Sequence, residues 1–370
     1  VGSPNKPPFP GDGKAWEGSE DSDFFKYKKS NAGFNNVTIE GLAGDDEVDI
    51  ELSGGSGNGD GHIKNVVIDV GSGDDRVSLT RKNNLYIKNA TIDGGDGEDY
   101  LSLSSDEIHD VKALAETIIV AAGGNGKITD LDLDSKNVTI NVGNDFSDST
   151  INADVVRIKN QGNGAPERVN ICALEVDFKA TNSLYGSTFS AKKININPKG
   201  NGVIEETKFF GVSPRFDVSE INLIANNAFK ESSVYGGDGD DDIYLSSNQA
   251  NFDNSLIHGG LGNDLISIKA REVAANSGFV VDGGPGNDKI VFNKTQEWAH
   301  SDFSIQISPG EGNDQIEIKD IVGLNGPSFV FPRVISEDQI RIDNENLEIS
   351  NNQIRLKNNK GGGRVEFNIF

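Results

Sequence analysis

The stretch GGPGNDKIVF at residues 283–292 has three close relatives in the same chain: GGDGEDYLSL from Gly94, GGDGDDDIYL from Gly236 and GGLGNDLISI from Gly259. Each sets out two glycines, a third glycine two residues on, an acid or amide, an aspartate, and then alternating apolar and polar residues. Glycines so placed mark a tight turn, and the alternation after them is that of a half-buried strand. Less complete copies, GLAGDD, VGSGDD and PGEGND, carry the pattern further. Aligned on the aspartate, the copies give Asp46, Asp75 and Asp99, then Asp241, Asp264, Asp288 and Asp314, with steps of 29 and 24 and of 23, 24 and 26. A unit recurring at such a period predicts a solenoid with one turn motif per coil.

A second landmark keeps phase with the first. Asn36, Asn65, Asn89 and Asn254 each lie ten residues before their aspartate, and Asn137 opens a similar NVTINV. Asparagines on successive coils can join their amides into a ladder. Asn36, Asn89, Asn137 and Asn293 also satisfy the N-x-T glycosylation pattern, so the two readings compete, with Asn293 out of phase. Runs such as VVIDV, RVSLT, LISIKA and QIEIKD are short, β-branched and alternating, as strands are. The best helical candidate is DEIHDVKALAETI from Asp106, a short helix or an irregular loop. The interval from Asp99 to Asp241, 142 residues, is close to six further steps. The coil is therefore expected to continue through the middle, with GGNGKI from Gly123 as a partial copy whose aspartate place is held by Ile128.

These signs predict an all-β, elongated parallel β-solenoid of about twelve coils, in a rod roughly 50 Å long at one strand spacing per coil. Residues 1–30, proline-rich and then acidic, read as an extended arm; 31–320 as the solenoid; 321–370 as a terminal cap of strands or hairpins. Phe9, Trp16, Phe24, Phe25 and Tyr27 on the arm read as docking residues for a second copy, giving a homo-oligomer or filament through the arm and the solenoid ends.

Composition narrows the partners. Against 58 Asp plus Glu stand 34 Lys plus Arg, a net charge of −24. That excludes an unassisted nucleic-acid binder and favours cations. No apolar run is long enough for a membrane span. The single cysteine, Cys172 in VNICALEV, reads as a small buried side chain. The absence of methionine points to a processed N-terminus or a fragment.

The glycine and aspartate pattern resembles the hemolysin-type (RTX) calcium-binding nonapeptide, G-G-x-G-x-D-x-U-x with U apolar. The likeness covers one corner of each coil of about 24 residues, where the family runs its repeats in tandem. It implies a parallel β-roll with Ca²⁺ between stacked turns, held by the aspartates and by carbonyls of the glycine loop. Carried over by position, the ligating set is Asp46, Asp75, Asp99, Asp241, Asp264, Asp288 and Asp314, with Gly94 and Gly97, Gly236 and Gly239, Gly259 and Gly262, and Gly283 and Gly286 shaping the complete loops. The oxygen-only donor set suits calcium, and about five ions would fit between successive coils. Unneutralised carboxylates at one strand spacing would repel by about 1 kcal/mol per pair even in water.

No catalytic constellation accompanies the repeats. His62, His109, His258 and His300 share no motif, and Trp16 and Trp298 stand alone. The expected role is a calcium-stabilised extracellular or cell-surface structural protein, such as a surface layer, fibril or adhesin segment, with a surface polysaccharide as a further partner. The alternatives are a virion or tail-fibre component and a β-helix polysaccharide lyase or epimerase.

Overall fold

The computed structural model describes residues 13–30, 32–53, 62–81, 86–198, 202–211, 219–225, 227–247, 251–270, 278–294, 304–319, 328–331, 340–343, 347–350, 353–356 and 367–369. Among these residues all regular structure is strand, and apart from one antiparallel hairpin the strands pair in parallel as the successive turns of a β-solenoid, about 11 in all. The chain divides into two compact units, Val1–Ala173 and Leu174–Phe370.

In the first unit Glu47–Ser53 pairs with Arg76–Arg81, which pairs with the start of the long extended run Tyr100–Val142. Their register stacks Val48 on Val77 on Leu101, and Ile50 on Leu79 on Leu103, all buried. On the neighbouring side of the coil Phe34–Glu40, Ile63–Asp69 and Tyr86–Asp93 stack Ile39 on Ile68 on Ile92. The second unit repeats the arrangement, with Ile221, Ile243, Ile266, Ile290 and Ile316 in one file. Each such side chain, fully buried, contributes about 1.5–3 kcal/mol. These files follow directly from period-two alternation: in a parallel stack the inward residues of every coil meet the inward residues of the next.

At a corner apart from the glycine turns, one residue per coil adopts a left-handed backbone. In the first unit these are Asn36, Asn65, Asn89, Asp110, Asp130, Asp148 and Arg168, at φ between 51° and 56°; in the second they are Gly186, Glu206, Glu231 and Asn254. Asparagine tolerates this region better than other side chains. The expected amide ladder is present: Asn65 Nδ2 donates to Asn36 Oδ1 at 2.7 Å, and Asn89 Nδ2 to Asn65 Oδ1 at 2.9 Å. Further along, the Arg168 guanidinium forks onto both carboxylate oxygens of Asp148. Asn137 stands outside this file, exposed and paired with Val155 in the ladder.

Several expectations are corrected. The extended arm does not hold for its described part: Ala15–Glu17 and Phe24–Ser30 are strands paired in parallel with the next coil. Trp16, Phe25 and Tyr27 are buried and pack edge-on or tilted in one cluster with Phe34. Aromatics with that much intramolecular burial are not docking residues; Phe9 lies outside the described residues. The stretch from Asp106 is strand, not helix or loop, with Ile87 opposite Ile108 and Ile92 opposite Ala113. The middle coils shorten, since Asp132 pairs with Thr150 and Thr188 with Lys208, steps of 18 and 20. GGNGKI is consequently not at the aspartate corner: Ile128 pairs with Phe146, two residues before the left-handed Asp130. Cys172 is exposed. It directly follows the buried Ile171 and so faces the other side of the strand. Coil pairing also continues beyond residue 320, through Ser328–Phe331 and Ile340–Asp343, before an antiparallel hairpin of Leu347–Ser350 with Gln353–Leu356.

Candidate metal corner

The seven sequence-selected aspartates occupy the same corner of successive coils, in one column per unit. All seven are buried, with exposures of 1% to 5%. Each accepts a hydrogen bond through Oδ1 from the backbone N–H of the corresponding residue one coil earlier. In the first unit Asp46 N–H donates to Asp75 (2.6 Å) and Asp75 N–H to Asp99 (3.1 Å). In the second, Ser219 N–H donates to Asp241, Asp241 to Asp264, Asp264 to Asp288, and Asp288 to Asp314, at 2.7–2.9 Å. The acid or amide just before each aspartate builds an exposed outer row in the opposite sense, each N–H reaching back to the side chain one coil earlier: Asp74 N–H donates to Asp45, Glu98 to Asp74, Asn263 to Asp240, Asn287 to Asn263 and Asn313 to Asn287.

The second carboxylate oxygen is different. Oδ2 of Asp46, Asp75, Asp241, Asp264 and Asp288 is buried and has no hydrogen-bond partner. Burial raises the whole set above the ordinary carboxylate range, against the lowering effect of the accepted N–H, and neighbouring carboxylates add to the rise in most of them. Asp75, Asp241 and Asp288 are pushed up to about 6 and Asp264 to about 7. An ionised column of this kind is incomplete by itself.

The glycines account for the hollow beside Oδ2. At the first place, a Cβ on Gly236 would lie 2.6 Å from Asp241 Oδ2 and one on Gly94 2.7 Å from Asp99 Oδ2, with Gly259 and Gly283 crowded likewise by Asp264 and Asp288. The same hollow is faced by a carbonyl oxygen of the next coil: that of Gly259 for Gly236, Gly283 for Gly259 and Pro309 for Gly283. At the third place Gly97, Gly239, Gly262 and Gly286 have φ of 117° to 157°, which side chains rarely adopt.

One member of the row escaped sequence reasoning. Asp23 N–H donates to Asp46 Oδ1 at 2.7 Å, so Asp23 holds the aspartate place one coil earlier, with Gly18 five residues before it as Gly41 stands before Asp46. The loop between, SEDS, has no glycine, and that hid it. Its Oδ2 is met by Ser19 N–H and Oγ at 2.6 and 2.9 Å, unlike the buried members.

These residues fit a hard divalent cation by donor chemistry: unpartnered carboxylate oxygens, carbonyl oxygens converging from the adjacent coil, and glycines that leave the space clear. Among the described residues no three His, Cys, Asp or Glu side chains converge as a metal-holding group. Backbone carbonyls must therefore supply much of any coordination sphere. The histidines lie elsewhere: His62 stacks on Tyr86, His109 bonds Thr129, and His258 faces Asp282 at 4.0 Å, while His300 and Trp298 lie outside the described residues. Among the described residues no helix is long and apolar enough to cross a membrane. Compared with known proteins, the chain matches no family model, no curated protein and no solved structure.

Proposed function

We propose that this chain is a calcium-stabilised extracellular structural protein, a β-solenoid segment of a surface layer, fibril or adhesin, whose two aspartate columns are neutralised by Ca²⁺ between coils. The observation that carries the reading is the row of buried, unpartnered Oδ2 atoms in register along each column. Asp46, Asp75 and Asp99 would hold the ions of the first unit and Asp241, Asp264, Asp288 and Asp314 those of the second, each with loop carbonyls. The bound ion supplies positive charge to a corner that is otherwise all oxygen. The extracellular setting is part of the proposal and accords with the roughly 10⁻⁴–10⁻³ M affinity of extracellular calcium modules. With Trp16, Phe25 and Tyr27 buried in the first coils, self-association through an aromatic arm is no part of this reading.

The test is calorimetric unfolding at pH 7.5 with 2 mM Ca²⁺ and with excess chelator. Binding to the folded state alone raises Tm by mass action. The expected result is a loss of about 10 °C or more on chelation, several kcal/mol for units of this size. Superimposable transitions would overturn the proposal.

A further inference from the structure

The first unit carries a groove at a corner away from the aspartate column, where GGNGKI and its successors lie. It has a volume of about 550 Å³ and is walled by three successive coils: Ala121–Asn125, Asn141–Asn144 and Gln161–Asn163. That volume is in the usual range for small-ligand sites. Its lining is unusual for this chain. In a protein of net charge −24 the groove has no ionisable side chain, and its polar groups are amides, Asn125, Asn141, Asn144, Asn163 and Gln161, set at one strand spacing from coil to coil.

Three of the four groove glycines answer to the backbone, Gly124 through a φ of 63°. A Cβ on Gly143 would strike the Gly124 carbonyl, and one on Gly162 the Gly143 carbonyl, so packing of coil on coil requires both. Gly123 is unlike them. Nothing lies within 4 Å of a Cβ built there, and its φ is not in the left-handed region. Neither backbone strain nor crowding demands glycine at 123; a side chain would only project into the groove.

We infer that this groove is a binding site for a linear neutral oligosaccharide laid along the coil axis. Each amide offers two donors and an acceptor, the pairing that sugar hydroxyls need, and repeats them at a regular interval as a polymer repeats its hydroxyls. An anionic polymer would meet no counter-charge in the groove and the repulsion of an acidic protein; a cationic one would find no carboxylate. Of the charged groups beside it, Lys127 and Asp145 are paired with each other at 3.1 Å, and Lys159 stands in register with Asn141.

The experiment is isothermal titration with cellohexaose, xylohexaose, mannohexaose and polygalacturonate, in calcium and repeated in chelator under conditions where circular dichroism reports a folded chain. Binding of at least one neutral hexasaccharide is expected, weaker by tenfold or more for its monosaccharide, with polygalacturonate inert. Gly123→Leu should weaken that binding at least tenfold while leaving the circular dichroism spectrum and Tm unchanged, and Asn125→Ala with Asn144→Ala should weaken it with the backbone corner intact. Failure of all three neutral hexasaccharides to bind, equal binding of polygalacturonate, or affinity indifferent to Gly123→Leu would each overturn the inference. Because the groove uses none of the aspartate column, its failure and a failure of the calcium reading are read separately.

Discussion

The second unit solves one problem twice, in two columns. At the aspartate corner, the N–H of one coil is received by a carboxylate of the next. At the left-handed corner a column of buried hydroxyls does the same: Thr207 N–H donates to Ser232 Oγ and Ser232 N–H to Ser255 Oγ. Each hydroxyl then donates onward to a carbonyl two residues back, Thr207 to Glu205, Ser232 to Lys230 and Ser255 to Asp253, at 2.7–2.9 Å. The hydroxyl column is thus complete and neutral. The carboxylate column receives the same N–H groups yet keeps an unpartnered oxygen and a charge per coil. If bridging N–H groups were the whole task, serine would do it at both corners. The difference teaches that the acid is retained for something the hydroxyl lacks, which is affinity for a cation.

The sharpest way to break that comparison is Asp264→Asn. Asparagine keeps the Oδ1 acceptor and removes the charge. With chelator at pH 7.5 the variant should be more stable than the parent, because a buried unpaired charge is gone; in saturating Ca²⁺ it should be less stable, by about 2–4 kcal/mol, because a ligand is lost. A change of the same sign in both conditions, read by thermal unfolding, would return the aspartate to a purely structural role.

Next in size is the pH response. A carboxyl whose folded pKa lies above its unfolded value of about 4 favours folding when protonated, and that contribution is lost as pH rises. With Asp75, Asp241 and Asp288 raised to about 6 and Asp264 to about 7, the metal-free protein should lose stability steadily between about pH 4 and pH 7. Calcium should flatten the upper part of that slope. Equal slopes with and without calcium would separate the column from the metal.

The hydroxyl column gives a control. Ser232→Ala removes the acceptor for a buried N–H and should cost about 1–3 kcal/mol, equally in calcium and in chelator. Dependence on calcium here would mean that the two columns are not independent. The smallest effect belongs to the exposed amide ladder: Asn65→Gly relieves a φ of 53° while cutting two amide bonds, and its Tm should move by no more than about 2 °C.

Much of this architecture could be read from residues alone. The repeat at Asp241, Asp264, Asp288 and Asp314 and the asparagines ten residues before their aspartates reported the same corner geometry that the coils display. The left-handed file was legible only where asparagine fills it. At Asp110, Asp130, Asp148, Arg168, Glu206 and Glu231 the neighbouring coils over-determine the backbone, so the residue type no longer announces its φ. Coil length was read wrongly in the middle because a stack tolerates a shortened corner as long as inward residues stay in file. The first coil was misjudged on its prolines: Trp16, Phe25 and Tyr27, which suggested docking, are packed inside strands that pair with the next coil. The hollow beside Oδ2 had no sequence signature beyond the first glycine, since its other wall is a carbonyl from the following coil.

The carboxylate bonds in each column all run one way, every N–H reaching forward in the chain and none backward. A coil at the leading end of a column therefore presents an acid that awaits a donor, while one at the trailing end has its acid engaged and turns its own N–H outward. Such a column is not interchangeable end for end: taking a turn from its start leaves the remaining acids with one acceptor unfilled, whereas taking one from its finish strands a donor. Truncations at opposite ends of the same unit should wound it differently, and the damage should travel as a vector.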